Sequence, residues 1–306
     1  MKSELEIYFE YFLDYQKSEN NCSEATVKSY KYDFSNIIEF LNIIQVEPQI
    51  NLITTAILRR FITFLKENKK FATNTVRRKI HCLASFFKYL IETEYIDKNP
   101  MAPIKAPKEE KKLPIYIKVN ELQRLMDAPE KYARFPENRL RDKVMVELFI
   151  FTGGRRAEVN GLNFDDIDFG RDTITIRKGK GNKSRVIPLV EPLKTDLWNY
   201  LNERLPLTNR AIIISSRGTR MSMSNMHVLF KTYLKKCGLG SKDYSFHKCR
   251  HAFASLLHQQ GVDLLEIKEL LGHEDINTTT IYTHTNINHL KNAVEKFPLV
   301  GAKKIS

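Results

Sequence analysis

Four stretches of this 306-residue chain carry side chains suited to chemistry on a phosphate ester. In the first, Gly153-Gly154-Arg155-Arg156-Ala157-Glu158, the glycines end one helix and place Arg155 at the start of the next. Glu158 follows one turn later on the same face, where a carboxylate can orient a guanidinium, although the same spacing also describes an ordinary surface ion pair. In the second, Lys178-Gly179-Lys180-Gly181-Asn182-Lys183, the glycines lack phosphate-loop spacing, so nucleotide binding is unsupported. Lys180 on such a turn reads either as a proton donor inserted into a nucleic-acid groove or as a plain exposed basic tip. The third, His247-Lys248-Cys249-Arg250-His251, puts His247, Arg250 and His251 on one helical face. Arginine offers a planar fork to two phosphate oxygens, and histidine gives or takes a proton. Metal ligation by His247 and His251 is disfavoured, because Arg250 adds a fixed positive charge and the helix has no Asp or Glu. His251 alone reads as a structural histidine. In the fourth, residues 271–282, Gly272 ends a helix and Asn277 or Thr278 caps the next, so His273 sits at the corner and Tyr282 lies about a turn beyond. With thirteen tyrosines in the chain, a buried core role competes for Tyr282.

Two arginines, two histidines, a lysine and a tyrosine, with no clustered carboxylates, together describe phosphoryl transfer without a metal. The phosphodiester gains negative charge as it becomes five-coordinate, and fixed cations must supply the stabilisation that a divalent ion gives elsewhere. Tyr282 would be the nucleophile; its phenol ordinarily titrates near ~10 and needs nearby positive charge or a base.

These residues must be positioned by a chain whose two halves differ. In the first hundred residues Val27, Tyr30, Phe34, Ile37, Ile38 and Leu41 recur at helical steps after the capping Ser23. Ile57, Leu58, Phe61 and Leu65 follow Thr54, and Val76, Ile80, Leu83, Phe87, Leu90 and Ile91 form a further stripe. About four helices result, with the aromatic stripe as core. Arg77, Arg78, Lys79 and Lys88 mark the opposite face, for which a merely solvated charge run is the ordinary reading. Residues 97–114, with Pro100, Pro103, Pro107 and Pro114 amid charges, predict a semi-rigid spacer. Residues 1–105 are thus expected as a helical domain, 106–114 as linker and 115–306 as a second domain. There, 121–126 opens a helix and 141–151 forms an apolar one. Residues 173–177 and 184–189 predict a β-hairpin with a basic tip, and 211–214 a strand or buried connector. Helices return over roughly 223–237, 247–259, 263–271, 278–284 and 287–297.

With 42% hydrophobic and 28% charged residues, the chain is globular rather than disordered. The net charge of +13 divides into +3 for residues 1–112 and +10 for 113–306, which favours a polyanionic partner. No apolar run is long enough to span a bilayer, and Glu10 interrupts the N-terminal apolar stretch where a secretory signal needs continuity. Cys22, Cys82, Cys237 and Cys249 form no CxxC pair, so reduced thiols are expected. The glycosylation sequons at Asn182 and Asn277 are chance matches on this reading, which is cytoplasmic.

The ordered set resembles the tyrosine recombinases of the phage integrase family, with the size and layout of Xer-type enzymes. TGGRRAEVNGL (152–162) is similar to the TGxRxxE element and GKGNKSRVIPL (179–189) to the lysine hairpin. HKCRHAFAS (247–255) is similar to the HxxRH box, and LLGHEDINTTTIYTH (270–284) to the LGHxxxxxTxxYxH box. SEATVKSYKYDF (23–34) and residues 99–114 resemble the core-binding domain and interdomain linker.

The resemblance implies a mainly α fold with a small antiparallel β-sheet: an α+β catalytic domain behind a four-helix, SAM-like core-binding domain. It implies that Arg155 and Arg250 clamp the scissile phosphate, Lys180 protonates the 5′-hydroxyl leaving group and His247 serves Tyr282 as general base and acid. His273 would hydrogen-bond the phosphate, Glu158 would orient Arg155, and Tyr282 would form a 3′-phosphotyrosine link that stores the bond energy for religation through a Holliday junction. Arg77, Arg78, Lys79, Lys183 and Arg185 would face DNA. No cofactor and no metal are expected. The partners would be double-stranded DNA with a specific recombination site and a synaptic homotetramer, with or without a paralogous recombinase or accessory protein, and no membrane. A tail helix near 287–298, with Leu290, Val294 and Phe297 on one face, would dock into a neighbouring protomer. Two departures stand out: Gly154 replaces the usual bulky apolar residue, which would loosen that turn, and Lys296-Phe297-Pro298 replaces a His-Pro ending. The task would be chromosome-dimer resolution or mobile-element integration and excision. A type IB topoisomerase and a catalytically silent DNA-binding protein are the competing readings. The proline-linked layout and tail helix favour recombination over relaxation, and mere binding does not need His247, His273 and Tyr282 together.

Overall fold

A computed structural model describes residues 2–108, 117–177, 184–272 and 287–298. The chain divides into two compact units, Met1–Leu113 and Pro114–Ser306. The first holds α1 (Glu4–Ser18), α2 (Glu24–Ile43), α3 (Thr55–Glu67) and α4 (Thr73–Glu92). Local chemistry sets their starts: the Ser23 and Thr54 hydroxyls accept the Thr26 and Ile57 amides, satisfying donors that the helix itself leaves unpaired. The aromatic stripe is core. Phe9 and Phe34 stack with ring centres 3.7 Å apart, and Phe86 meets both edge-on. Each such buried ring contributes about 1.5–3 kcal/mol over exposure. The start of the expected spacer joins this core: Met101 is buried, and Ile104 and Ala106 pack against it.

Lys79 corrects an expectation. Expected on a DNA-facing surface, it is instead fully buried, its ammonium donating to Asp33 Oδ1 at 2.9 Å and lying 4.7 and 5.0 Å from the ring centres of Tyr32 and Phe71. Helical geometry is the reason: Lys79 stands three residues after Val76 and four before Leu83, on the stripe that enters the core. Arg78 points elsewhere, half-exposed, with guanidinium bonds to Ser29 Oγ (2.7 Å) and Asp33 Oδ1 (2.8 Å). Arg77 donates to the Pro107 carbonyl at 2.6 Å.

The second unit contains α5 (Val119–Tyr132), α6 (Arg139–Thr152), α7 (Arg156–Gly161), β1 (Ile167–Asp168), β2 (Thr173–Ile176), β3 (Arg185–Pro188), α8 (Leu193–Glu203), α9 (Met223–Lys236), α10 (Phe246–Gln259), α11 (Leu264–Leu271) and α12 (Ile287–Glu295). α6 is its axis: every residue from Val144 to Thr152 is buried, and α5, α8 and α10 surround it. A helix apolar all round is stable only in such a position. The two expected strands pair, β2 antiparallel to β3 in the register Ile174↔Ile187, with β1 added on the other edge; the basic tip lies outside the described residues. Residues 211–214 are a connector, buried from Ala211 to Ile213 and held by single bridges Asn163↔Ala211 and Ile214↔Arg220.

α12 packs on β3 and α11, burying Ala293, Val294 and Phe297 in their own unit. Phe297 meets Phe151 and Phe253 at 5.8 and 5.4 Å between ring centres. Val294 and Phe297, two residues of the face expected to reach a neighbouring protomer, are thus buried within this single chain. The Leu290 side chain lies outside the described residues. Among the described residues no helix is long and apolar enough to cross a membrane. All four cysteines are free thiols.

Candidate active site

α6 ends at Gly153, whose backbone is left-handed (φ 56°). A Cβ there would come within 2.7 Å of Phe253 and 2.9 Å of Leu271, so both conformation and packing require glycine. Gly154 donates its amide to Thr152 Oγ1 (3.0 Å), and a Cβ would meet Val159 Cγ2 at 2.7 Å. The turn is thus tight at Gly154, not loosened as its departure from the family pattern suggested; the glycine lets Val159 close over it.

Arg155 is the N-cap of α7. Its amide donates to Glu158 Oε2 and its guanidinium to Glu158 Oε1, both at 2.8 Å, and its second arm reaches the Gly272 carbonyl at 3.4 Å. A third of the side chain remains exposed, leaving donors for a ligand. Arg250, on α10, is almost wholly buried and donates to the Gly153 carbonyl (2.8 Å) and the Leu271 carbonyl (2.7 Å). Adjacent carbonyls at the C-terminus of α11 thus receive both arginines. Unpaired carbonyls at a helix end carry partial negative charge, which holds cations together without neutralising them as an acid would.

Glu158 is buried with three positive neighbours. Burial pushes its carboxyl up, but hydrogen bonds from Arg185, the Arg155 amide and the Arg155 guanidinium prevail and hold it at about 2. Burial, then repulsion from Arg155 and Arg185, draws the Arg250 guanidinium down to about 10, so it stays charged at neutral pH. Three arginines around one carboxylate leave an excess of two positive charges.

His247 is the second residue of α10, after the capping Ser245, whose Oγ accepts the Lys248 amide at 3.4 Å. Its ring is exposed and meets His251 edge-on, 4.6 Å between centres. Desolvation against its neighbours, then the charges of Arg250, Lys248 and Arg155, lower its pKa below the ordinary 6.5, which keeps it neutral and able to accept a proton near pH 7. His251, read as structural, is likewise exposed rather than enclosed.

The described residues therefore bring Arg155, Glu158, Arg250 and His247 together. Lys180, Lys183, His273 and Tyr282 lie outside the described residues. Arg185 corrects a second expectation. Its side chain is only 9% exposed and turns inward to Glu158, rather than outward to DNA, because a buried carboxylate demands a partner. Sequence reading did not register the carbonyls of Gly153, Leu271 and Gly272 as site groups; the glycine helix stops were their signal.

The Phage integrase family model matches residues 116–289, and the model for the phage integrase N-terminal SAM-like domain matches residues 9–94. Tyrosine recombinase XerC of Thermodesulfovibrio yellowstonii is 35% identical over 301 residues, covering 95% of this chain and 96% of that protein. Tyrosine recombinase XerD of Rickettsia bellii is 33% identical over 302 residues, covering 94% and 97%. Two solved structures share the fold. The XerH site-specific recombinase bound to palindromic difH substrate, a post-cleavage complex, has a TM-score of 0.70 at 24% identity and covers 90% of this chain and 80% of that one. A lambda integrase tetramer bound to a Holliday junction has a TM-score of 0.68 at 18% identity and covers 92% and 80%.

Proposed function

This chain belongs to the phage integrase family, and on that premise we propose that it is a site-specific tyrosine recombinase that cuts and rejoins DNA strands without a metal or cofactor. One observation carries the reading: Arg155 and Arg250, from different helices, are drawn to neighbouring carbonyls at one helix end, with net positive charge to spare. A scissile phosphodiester satisfies that excess, and more so as its charge grows in the five-coordinate transition state.

In this reaction the Tyr282 hydroxyl oxygen bonds to phosphorus while the bond to the 5′-oxygen breaks. The phenolic proton passes to neutral His247, Lys180 gives a proton to the departing 5′-oxygen, and His273 donates a hydrogen bond to the phosphate. The product is a 3′-phosphotyrosine and a free 5′-hydroxyl; attack by a 5′-hydroxyl from the partner duplex reverses the step with exchanged strands, through a Holliday junction. No bond energy is lost, so no nucleotide is consumed. The partners are two double-stranded DNA sites and further copies of this chain in a tetramer, as in the lambda integrase complex. The task on this reading is either Xer-type chromosome-dimer resolution, which the similarity to XerC and XerD supports, or mobile-element integration and excision, acting on DNA in the cytoplasm.

A nicked suicide site tests this. Covalent protein–DNA product is expected from the parent and is absent in Tyr282→Phe, which still binds DNA; covalent product from Tyr282→Phe removes the proposed nucleophile. Lys180→Ala is expected to cleave slowly and to recover when sulfur replaces the leaving oxygen, since a thiolate needs no proton donor. Supercoil relaxation without any two-site product would favour a topoisomerase.

A further inference from the structure

Arg185 is the first residue of β3, directly beyond the glycine–lysine turn. Its guanidinium is fully engaged inward. Nε donates to the Leu270 carbonyl at 2.9 Å, while the two terminal nitrogens grip both Glu158 oxygens at 3.1 and 2.8 Å. Its stem lies against the end of α11 so closely that a Cβ on Gly272 would come 3.0 Å from Arg185 Cδ and 3.1 Å from a terminal nitrogen. Gly272 is also left-handed, at φ 63°. One side chain therefore ties together β3, the first turn of α7 and the C-terminus of α11. These are the elements that lead from the Lys180 turn, present Arg155 and precede His273.

The charge arrangement gives this tie a consequence. Glu158 has two oxygens, each accepting from both Arg155 and Arg185. With the carboxylate shared, Arg155 is oriented but only partly neutralised. Without Arg185, Glu158 would pair with Arg155 alone and offset more of the charge that a phosphate needs, and the first turn of α7 would keep only the long Arg155–Gly272 bond to the end of α11.

Resting on the recombinase reading above, we propose that Arg185 is a positioning residue of strand cleavage, which acts through Glu158 by sharing its carboxylate so that Arg155 is aimed but only partly paired, and not a DNA-contacting side chain. Bidentate geometry matters, so lysine does not replace it.

The test uses full-length protein on the nicked suicide site at saturating DNA. Arg185→Met is expected to slow covalent-complex formation by roughly 10–100-fold, as for loss of a group that orients a reacting one. DNA affinity and its salt dependence should stay within twofold. Arg185→Lys, which keeps stem and charge, should lose most of the same rate and serves if the methionine variant does not fold. In an Arg155→Ala background, Arg185→Met should cost less than twofold more, since the residue through which it acts is gone. Independent, multiplying losses would overturn the proposal, as would weakened DNA binding with unchanged cleavage at saturation. Arg155→Ala cleaving like the parent would instead overturn the recombinase site itself.

Discussion

Replacing Lys79 by Met separates a structural lysine from a DNA contact. The ammonium is fully buried, 2.9 Å from Asp33, whose other oxygen has no hydrogen-bond partner. Removing one member of a buried pair costs about 3–5 kcal/mol, mostly for the stranded charge. Asp33 keeps Arg78 at 2.8 Å, so the lower end, about 3 kcal/mol, applies. Unfolding entropy of roughly 2.1 cal/mol/K per residue over the first unit turns that into a fall in Tm of about 12 °C. The single tryptophan, Trp198, lies in the second unit, so its fluorescence reports that transition separately and should not move. Circular dichroism of the full chain should show the earlier transition, and Asp33→Leu with Lys79→Met should regain most of the loss. Below the transition, Lys79→Met should leave the slope of log affinity against log salt unchanged, whereas Arg78→Ala, if that half-exposed side chain meets phosphate, should reduce it by about 0.9. A variant that melts like the parent but loses salt dependence would refute the burial argument.

Glu158 should make the second unit acid-sensitive. Its carboxyl sits at about 2 when folded, below the ordinary 4.5, so its stabilisation is complete above the unfolded value and lost as pH falls from there toward 2. Glu158→Gln should flatten that part of a Tm-versus-pH curve. The cleavage rate should rise with pH through a midpoint below 6.5 as His247 loses its proton, and His247→Gln should remove this acid limb in single-turnover assays. Phe297→Ala should cost about 3–4 kcal/mol, by loss of a buried ring between Phe151 and Phe253, with Phe297→Leu costing less. An unchanged melt would show that α12 is not docked on its own unit in solution.

Much of the architecture was legible in spacing. Val27, Phe34, Ile37 and Leu41 announce α2 because a 3.6-residue period puts them on one face, and they are buried there. The hairpin follows from alternating residues around a glycine turn, while α8 went unread although Leu193, Leu197, Tyr200 and Leu201 have the same period. At the site, the helix stops at Gly153 and Gly272 and the cap by Arg155 were readable, since each is a local backbone requirement.

The sequence by itself determined which groups are available and which share a helical turn: Arg155 with Glu158, and His247 with Arg250, because helix periodicity is local. It did not determine direction across the fold. Only tertiary structure decided that Arg185 turns inward to Glu158, that Lys79 is neutralised in a core and that the carbonyls of Leu271 and Gly272 collect two arginines. Those outcomes depend on which buried charges must find partners, and the partners are 27, 46, 21 and 117 residues away along the chain.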